Sequence, residues 1–581
     1  MSANEPRILR EGRNCWRICR ADRLAFLIDG HRYYPAVVDS LSRAEGAAWV
    51  LAWDIDGRLR LDRGPVPDGL PATLSPFLSA LCARKPGLHL YVLLWDYAMI
   101  YALEREPIPS VNLGWRSHRR LHFRMDGSHP VGACHHQKVV VVDDAVGYVG
   151  GFDLSKWRWD TSGHRPGDPI RVDPEGNPYP PFHDVQMVVD GEAAAALGDL
   201  CRQRWSRAGG RREPTEAVAG DPWPAGVEPE LRDVRVGIAR THPAYEGKPE
   251  AREIEALHLD AIAAARRFIY IENQYLTSHA VGQALSGRLA EVDGPEVAIV
   301  LPLRKDGWLE RQTMDVLRTR LLRQLRAADQ HHRLRVYYPH IPGLGREWVS
   351  VHSKVLVADD RLVRLGSANM SNRSMGLDTE CDLAVEAGPG EEAVRAVIAG
   401  LRNRLLAEHL DVTEEQVAEA LAAESPVAAI ESLRTESGRS LRPLDGTVNA
   451  SSERLVPDSA VIDPERPAGP DEFVEIYVPP EDRKTGRRQA SLFVAFLLGL
   501  VGLAVIWQMT PLAEWVEADK VAAWLDGVRY SPVALPAVIL VYVVASLLTL
   551  PLAVMIVGTA ITFAPGWDSG TPWWRPWSPR S

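Results

Sequence analysis

The chain has 581 residues, 46% of them hydrophobic and 24% charged; this allows about two to four domains and excludes a disordered or wholly membrane-embedded chain. The formal net charge is −10, from 66 basic and 76 acidic residues, which argues against a general nucleic-acid coat because such a protein needs a basic surface. Six cysteines without a CxxC pair predict free thiols in a reducing compartment rather than disulfides or a zinc site.

The first folded region is predicted over residues 8–206, where short apolar runs typical of buried strands alternate with helical stretches. The strands are predicted at Ala47–Ile55, Leu88–Trp95, Val139–Val142 and Val185–Val189, and the helices at Leu70–Arg84 and Glu192–Trp205. Residues 207–230, which are rich in glycine, proline and arginine, are predicted to be a linker.

The second region, residues 231–423, repeats this alternation. Its strands are predicted at Val234–Ala239, Phe268–Glu272, Val297–Leu303, Leu334–Tyr338 and Val355–Ala358. An amphipathic helix with an apolar face around Leu317 and Leu321 is expected between the third and fourth of these strands. Alternating strands and helices in both regions predict an α/β class with layered sheets.

The remaining chain changes character. Residues 424–488 are rich in proline, serine and acidic residues and predict a disordered tether. Residues 489–567 contain two long uncharged stretches and predict a membrane region, with a span at 491–507 followed by a broken or re-entrant segment. Residues 568–581 form a tail.

The ends of the chain also predict a location. The N-terminus is polar and has no apolar segment, so no signal peptide is expected. Four basic residues precede the first span, at Arg483, Lys484, Arg487 and Arg488. The positive-inside rule therefore predicts that the folded regions face the cytoplasm at the inner membrane.

One pattern occurs twice at long range. The chain reads HQKVVVVDDAVGYVGGFD from His136 and HSKVLVADDRLVRLGSAN from His352. A chain of this composition would contain one His-x-Lys-x4-Asp match by chance in roughly 0.02 cases, so two copies with identical downstream spacing indicate a function. The matched positions are His136/His352, Lys138/Lys354, Asp143/Asp359, Gly150/Gly366 and Asp153/Asn369.

This pattern predicts a site for phosphodiester chemistry. On a strand, His-x-Lys places both side chains on one face, and the small residues after the strand let the backbone approach closely. Two copies brought together would offer two histidines and two lysines in one pocket. One histidine can attack phosphorus, the other can protonate the leaving alkoxide and then activate water, and the lysines can neutralise the phosphate oxygens. No metal and no other cofactor are therefore expected.

Residues 8–410 resemble the phospholipase D superfamily, whose signature is this duplicated motif. The resemblance to its eukaryotic-type members extends to the blocks HHQK at 135–138, GGFDLSKWRWD at 150–160, IYIENQYL at 269–276 and GSANMSNRSMG at 366–376. It implies two similar α/β halves that share one active site, followed in this chain by the C-terminal transmembrane segments predicted above.

The resemblance also implies roles for individual residues. His136 would be the nucleophile that forms a phosphohistidine, and His352 the general acid and then the base. Asp184 and Glu380 would orient the two histidines, because the tautomer and aim of a ring depend on such partners. The residues implied to hold the phosphate are Lys138, Lys354, Asp153, Asn369, Ser367 and Gly151.

Further residues allow two interpretations. The two motif aspartates, Asp143 and Asp359, are expected to be structural, tying strand ends to neighbouring backbone or arginines. The pair Glu272 and Asn273 lies either beside the pocket or in a merely structural strand. Gly163–Pro181 is long for a connection and is a candidate lid or lipid-facing loop. Three residues line the pocket mouth, where tryptophans could contact a choline-like headgroup, or belong to the core: Trp157, Trp159 and Asp160.

The leading hypothesis is a membrane-tethered phospholipase D that hydrolyses a glycerophospholipid to phosphatidic acid and the head-group alcohol, with water or a primary alcohol as acceptor. A phosphatidyltransferase of the cardiolipin-synthase type would use the same site. Proteins of that type, however, resemble a different arrangement, in which the membrane spans precede the motifs. A nuclease of the superfamily is disfavoured by the acidic charge, so no nucleic-acid partner is expected. A non-catalytic lipid-binding membrane scaffold would predict damage to one motif, and both motifs are intact.

A second resemblance concerns the C-terminal region. The sequence ASLLTLPLAVMIVGTAITFAPGW at 545–567 is similar to the start of a DedA/SNARE-associated (VTT) membrane domain. The similarity stops early, at the tail, so the region is expected to be an incomplete domain of that type.

Overall fold

The computed structural model describes residues 6–446 and 463–467. Short gaps in this range fall at residues 65, 68, 97–104, 107–108, 212–219 and 305–307. The chain divides into two units, Met1–Ala468 and Gly469–Ser581, and all described residues belong to the first. The predicted membrane region and tail lie outside the described residues. Among the helices of the described residues, none has both the length and the apolar character needed to cross a bilayer.

The described residues contain long strands with apolar, buried sequences and a few two-residue strands. The strands are β1 (Arg17–Ile28), β2 (Ala47–Ala52), β3 (His89–Trp95), β4 (Leu121–Asp126), β5 (Val139–Val142), β6 (Val146–Gly150), β7 (Phe182–His183), β8 (Val185–Asp190), β9 (Leu231–His242), β10 (Ala251–Arg252), β11 (Phe268–Glu272), β12 (Glu296–Val300), β13 (Leu334–His340), β14 (Ser350–Val351), β15 (Val355–Ala358), β16 (Leu362–Gly366), β17 (Glu380–Glu386) and β18 (Ser440–Pro443).

The helices connect and cover these strands. They are α1 (Gly30–Arg43), α2 (Leu74–Arg84), α3 (Gly191–Arg207), α4 (Glu253–Ala264), α5 (His279–Ala290), α6 (Trp308–Ala328), α7 (Asn372–Gly376), α8 (Glu392–Leu410), α9 (Glu414–Ala423) and α10 (Pro426–Leu433), with a π-helical turn at Ser110–Trp115.

Apart from β7 and β14, which pair with each other in a separate two-stranded sheet, the strands of both regions join in one continuous sheet. The first half, residues 8–206, contributes the order β4-β3-β2-β5-β6-β8-β1, and the second half, residues 231–423, contributes β13-β12-β11-β15-β16-β17-β9. Strands β1 and β9 pair antiparallel at the centre, with Cys19 opposite Val236. The expected mixed α/β class is confirmed, and the two halves have the same strand order within a single sheet.

Helices cover both faces of the sheet, which explains why strands such as β5 and β15 are apolar at every position. One hydrophobic core continues across both halves beneath α3, α8, α9 and α10, and it includes Trp49, Val236 and Leu405. On the opposite face, α1 and α2 cover the first half, and α4, α5 and α6 cover the second. The core therefore joins the halves into one body.

The segment predicted as a disordered tether begins as part of this body. Helix α10 buries Ile430, and β18 buries Leu441 while it pairs antiparallel with β13. Farther along, the buried carboxylate of Asp463 accepts hydrogen bonds from the Thr277 hydroxyl at 2.6 Å and from the Asn372 backbone N–H at 2.9 Å. A few apolar side chains and one buried carboxylate therefore hold residues 424–446 and 463–467 in the fold.

The predicted linker 207–230 also contributes to the fold. Trp223 and Val227 are buried in the core of the first half, and the Ser40 hydroxyl donates to the Pro222 carbonyl at 2.6 Å. Only the part of the linker outside residues 212–219 is described.

Candidate active site

The two His-x-Lys segments occupy equivalent places in the two halves. His136 and Lys138 lie immediately before β5, and His352 and Lys354 lie immediately before β15. The His-x-Lys pairs were expected to have strand geometry; in the structure each pair directly precedes its strand, and both strands have the predicted bounds. The extended backbone still keeps each lysine beside its histidine, because Nζ of Lys138 lies 3.4 Å from the backbone oxygen of His136.

Each histidine is held by a carboxylate from the other half of the chain. Nδ1 of His136 lies 2.9 Å from Oε2 of Glu380, which opens β17. Nδ1 of His352 lies 2.6 Å from Oδ2 of Asp184, which lies between β7 and β8. A proton on Nδ1 donated to the carboxylate leaves Nε2 of a neutral ring with a free lone pair. The crossed pairs bring all four residues into one site.

The lysines complete a positively charged centre. Nζ of Lys138 forms a buried ion pair with Asp153 at 3.0 Å, and Asp153 also accepts a hydrogen bond from the Trp53 backbone. Nζ of Lys354 contacts the backbone oxygen of His352 and lies 3.5 Å from Oε1 of Gln274. An anionic phosphate group placed here would meet two ammonium groups.

Hydroxyl groups support the carboxylate of Glu380. The Ser367 hydroxyl donates to Oε2 at 2.5 Å, and the Ser374 hydroxyl donates to Oε1 at 2.7 Å. Ser367 was predicted to hold phosphate, and in the structure its hydroxyl is directed at Glu380. The side-chain oxygen of Asn369 is buried and has no hydrogen-bond partner among the described residues, so it is available to a group that enters the site.

The glycine of the first copy has a steric role. A Cβ atom at Gly151 would lie 2.2 Å from Oδ1 of Asp184. At Gly366 in the second copy it would lie 2.0 Å from a carboxylate oxygen of Asp382. A larger residue at either position would displace the neighbouring carboxylate, so Gly151 contributes the space that Asp184 occupies.

Burial dominates the proton affinities at the site. It raises the pKa of Glu380 to about 8 and that of Asp184 to about 6. Burial also lowers the pKa of Lys354 to about 7. The pKa of both His136 and His352 falls well below its ordinary value, because of burial and then the neighbouring lysine ammonium groups. Burial and the neighbouring positive charges therefore favour neutral imidazoles at both positions.

The two motif aspartates make equivalent hydrogen bonds in the two halves. The carboxylate of Asp143 accepts hydrogen bonds from three successive backbone N–H groups, at residues 45–47, at 2.8–2.9 Å. Asp359 does the same for residues 266–268 at 2.8–2.9 Å. Each carboxylate therefore anchors the start of a neighbouring strand, β2 or β11, rather than the phosphate.

The sequence interpretation missed two side chains next to the histidines. The charge of Arg158 acts on both His352 and Asp184, and this arginine stands in the block GGFDLSKWRWD. The ring of Trp53 lies 6.0 Å from the His136 ring, edge to face, and 5.5 Å from Nζ of Lys138. Trp53 follows β2 and has no motif around it that could have identified it.

Most of the block around Arg158 is structural. Trp159 is buried in the core of the first half, and the fully buried carboxylate of Asp160 binds Arg171 and the Phe182 backbone N–H. Of the three residues considered for the pocket mouth, only Trp157 is partly exposed. The candidate lid 163–181 is held against this block through the contact of Arg171 with Asp160.

A second buried group of ionisable residues, the His183 cluster, lies behind the site. Nδ1 of His183 is 2.9 Å from Glu408 and 3.0 Å from Asp29, while its Nε2 is 3.0 Å from Glu272. Carboxylates lie at both ring nitrogens, and they raise the pKa of His183 well above its ordinary value against the opposing effect of burial, which favours the imidazolium form. The cluster consists of Asp29, His164, His183, Glu272, Glu408 and His409.

The His183 cluster was not predicted from the sequence, since its members are scattered along the chain. Donor atoms of Asp29, His164, His183 and Glu408 lie within 4.8 Å of one another, a spacing that could hold a metal ion. The hydrogen bonds instead join the histidines and carboxylates of the cluster directly to one another. Glu272 is part of this network and is therefore structural. The side-chain oxygen of Asn273 accepts backbone hydrogen bonds at 3.0 Å, while its side-chain nitrogen is buried without a hydrogen-bond partner among the described residues.

The chain is similar in sequence to known phospholipases. Residues 258–401 match the family described as "Cardiolipin synthase, PLD-like domain". Phospholipase D alpha 1 of Ricinus communis is 23% identical over 524 residues, covering 66% of this chain and 64% of that protein. Phospholipase D A of Dictyostelium discoideum is 24% identical over 418 residues, covering 61% and 32%.

The chain thus spans less than two thirds of the length of these relatives. Among solved structures, the phosphatidylserine synthase of Haemophilus influenzae aligns with 72% of this chain and 95% of its own, with a TM-score of 0.47 and 13% identity. The sequence matches support the phospholipase D superfamily for this chain.

Proposed function

We propose that the protein is a phospholipase D that hydrolyses a glycerophospholipid to phosphatidic acid and a head-group alcohol. The observation that carries this proposal is the crossed arrangement of the two motifs. Each histidine has a lysine beside it and a carboxylate from the other half on its Nδ1. Two imidazoles, each oriented through its Nδ1, and two ammonium groups supply the nucleophile, the acid–base group and the positive charge that a two-step displacement at phosphorus uses.

In the first step, Nε2 of His136 attacks phosphorus with its lone pair and forms a P–N bond. The P–O bond to the head group breaks, and its electron pair goes to the leaving oxygen. His352, protonated at Nε2 when the anionic substrate has entered, transfers that proton to the leaving oxygen. The carboxylate of Asp184 on Nδ1 favours the imidazolium form of His352 that this step needs.

In the second step, His352 is neutral and accepts a proton from water. The water oxygen attacks phosphorus, a new P–O bond forms, and the P–N bond to His136 breaks. Phosphatidic acid leaves, and both histidines return to their initial state. Throughout, Lys138 and Lys354 stabilise the negative charge that develops on the nonbridging oxygens, while Glu380 fixes the ring of His136.

Ethanol tests the covalent intermediate. A phosphohistidine can be attacked by an alcohol as well as by water, so incubation of purified protein with phosphatidylcholine and ethanol should yield phosphatidylethanol at the expense of phosphatidic acid. Hydrolysis that continues without any phosphatidylethanol would contradict the two-step route. A panel of phospholipids in the same assay would identify the head group.

A second candidate function is phosphatidyl transfer of the cardiolipin-synthase type. It is favoured by one observation, the match of residues 258–401 to the family of that description. Both candidates use the same residues and differ in the acceptor. Supplying phosphatidylglycerol as the only lipid distinguishes them, since a synthase would produce cardiolipin and glycerol, whereas a hydrolase would produce phosphatidic acid and glycerol.

We also propose that the catalytic region acts at the cytoplasmic face of the inner membrane. The support is the uncharged stretch 491–507 and the basic residues before it, which lie outside the described residues. Protease added to intact cells should leave the catalytic region uncut, and cleavage under those conditions would overturn this orientation.

A further inference from the structure

Two adjoining cavities lie beside β9 and the C-terminal end of α3. Their volumes are about 210 Å³ and about 610 Å³. Three side chains line both cavities: Arg240, His242 and Lys248. The smaller cavity, here called the basic cavity, is also lined by Arg204 and Arg207.

The basic cavity contains more positive charge than its surroundings neutralise. Arg204 is paired with Asp126 at 2.7 Å, and Arg240 is paired with Glu253 at 2.8 Å. Within the part of the chain that the structure describes, no ion pair joins Lys248 or Arg207 to a carboxylate. The only other carboxylate that lines the cavity is that of Glu246, which is exposed.

The neighbouring positive charges destabilise the protonated form of Lys248. Burial, followed by the charges of Arg207, Arg240 and Arg204, lowers the pKa of its ammonium group to about 7. Arg207 is similarly affected, since burial and the charges of Arg204 and Arg240 lower its pKa too. A bound anion would remove this repulsion, and the interaction would be stronger than at an open surface because the cavity excludes part of the water.

The wall of the basic cavity is the reverse side of the catalytic segments. His135 and Gln137 line it and flank His136, while Thr379 lines it and precedes Glu380. Nδ1 of His135 lies 3.0 Å from the Thr379 hydroxyl. The side chains that alternate with the catalytic pair therefore line a separate cavity.

We propose that the basic cavity binds a phosphate monoester group at a site distinct from the catalytic pocket. A phosphate monoester carries about −1.5 to −2 charges at neutral pH, which matches the two unpaired cations, Lys248 and Arg207. Arginine binds phosphate oxygens through its fork of N–H donors, and lysine binds them as a point charge. Neither requirement depends on the function proposed for the catalytic pocket.

The group can come from a soluble phosphate or from a lipid such as phosphatidic acid. Calorimetric titration with inorganic phosphate measures the soluble source, and flotation with phosphatidylcholine vesicles, with and without phosphatidic acid, measures the lipid source. Both are done in the full-length His136→Ala protein so that no lipid is consumed. Because the two lysines of the catalytic pocket can also attract phosphate, only binding that weakens in Lys248→Ala or Arg207→Ala supports the basic cavity, and the arm that shows this loss identifies the source.

The decisive comparison uses Lys248→Ala and Arg207→Ala against Arg119→Ala, which removes an exposed arginine that lines neither cavity. Removing a charged hydrogen-bond partner should weaken binding about tenfold or more, while Arg119→Ala and the charge-preserving Lys248→Arg should bind like the parent protein. Because Arg207 is exposed, Arg207→Ala is expected to fold. It therefore tests phosphate binding in the basic cavity even if Lys248→Ala fails to fold. Equal affinity in all these proteins, or no binding in the parent protein through either source, would overturn the proposal.

Discussion

The ring of His136 is held by a carboxylate 244 residues away in the chain, since its Nδ1 lies 2.9 Å from Oε2 of Glu380. His352 and Asp184 form the reciprocal contact at 2.6 Å. Neither half of the chain therefore contains an oriented histidine without the other. The continuous sheet and the core that runs across both halves fix the distance between the two members of each pair.

Glu380→Gln should lower turnover while it raises stability at alkaline pH. The variant has no ionisable carboxyl group at Nδ1 of His136, so we expect a loss of turnover of about a hundredfold or more. Burial raises the pKa of Glu380 from 4.5 to about 8. The folded protein therefore retains a proton that the unfolded chain releases in this range, and wild-type stability falls as pH rises from 4.5 to about 8.

Because glutamine does not titrate, Glu380→Gln should unfold at a higher urea concentration than the wild type at pH 8, with the difference shrinking towards pH 4.5. Glu228→Gln, which changes an exposed glutamate, provides the control and should track the wild type. A Glu380→Gln protein whose stability relative to the wild type does not change with pH would contradict the assigned protonation.

Each of the two histidines should be essential by itself. His136→Ala removes the proposed nucleophile, and His352→Ala removes the proposed acid and base, whose contribution alone is about 10²–10⁴-fold. Phosphatidic acid release should therefore nearly vanish in both variants while circular dichroism remains unchanged. If either folded variant kept more than about a tenth of wild-type turnover, the two-histidine assignment would be wrong.

The His183 cluster should make stability depend on pH above neutrality. Burial acts against the charge on His164, but Asp29, Asp160 and Glu408 raise its pKa from 6.5 to about 9. The stabilisation is complete below pH 6.5 and is lost as pH rises to about 9. His164→Gln should therefore be less stable than the wild type at pH 6, and by a smaller margin at pH 9.

His331→Gln is the matched control for this measurement, since His331 is exposed. Urea unfolding at several pH values checks the prediction. A stability difference between His164→Gln and the wild type that stays constant from pH 6 to pH 9 would argue against a charged His164.

Activity should persist without a divalent metal. Lys138 and Lys354 supply the positive charge beside both histidines, so removal of metal should leave turnover unchanged. The measurement uses protein dialysed against a chelator and a soluble ester, bis(p-nitrophenyl) phosphate, which avoids effects of calcium on a lipid surface. Loss of hydrolysis that zinc or calcium restores would contradict the prediction and direct attention to the donor atoms of the His183 cluster.

The sequence was most informative where a short pattern determines the chemistry. The repeated His-x-Lys-x4-Asp motif identified the residues that meet in the site, and the buried strands Val139–Val142 and Val355–Ala358 have their predicted boundaries. These features are local, since four consecutive apolar residues beside a reactive pair can be read directly from the chain. Other strands are longer than predicted. Strand β9 extends beyond Val234–Ala239 at both ends, because its ends contain polar residues that an apolar pattern does not identify.

Features that depend on long-range contacts could not be predicted. Predicting the contact between His136 and Glu380 requires knowledge of the strand order in the sheet. The same holds for the His183 cluster, whose members are close in space but distant in sequence. Strand β1 was missed because its first part is arginine-rich and half exposed. The start of the predicted tether has few apolar residues, so only its packing against the second half shows that it is folded.

Trapping the covalent intermediate tests the central claim most directly. In His352→Ala, an ester with p-nitrophenol as its leaving group needs no general acid for the first step, but the second step still lacks its base. We predict a burst of one p-nitrophenol per protein and, after quenching, a phosphoryl adduct on the peptide that contains His136. The same experiment with His136→Ala should give no burst and no adduct. An adduct on His352 in that variant, or a burst without any adduct in His352→Ala, would contradict the account.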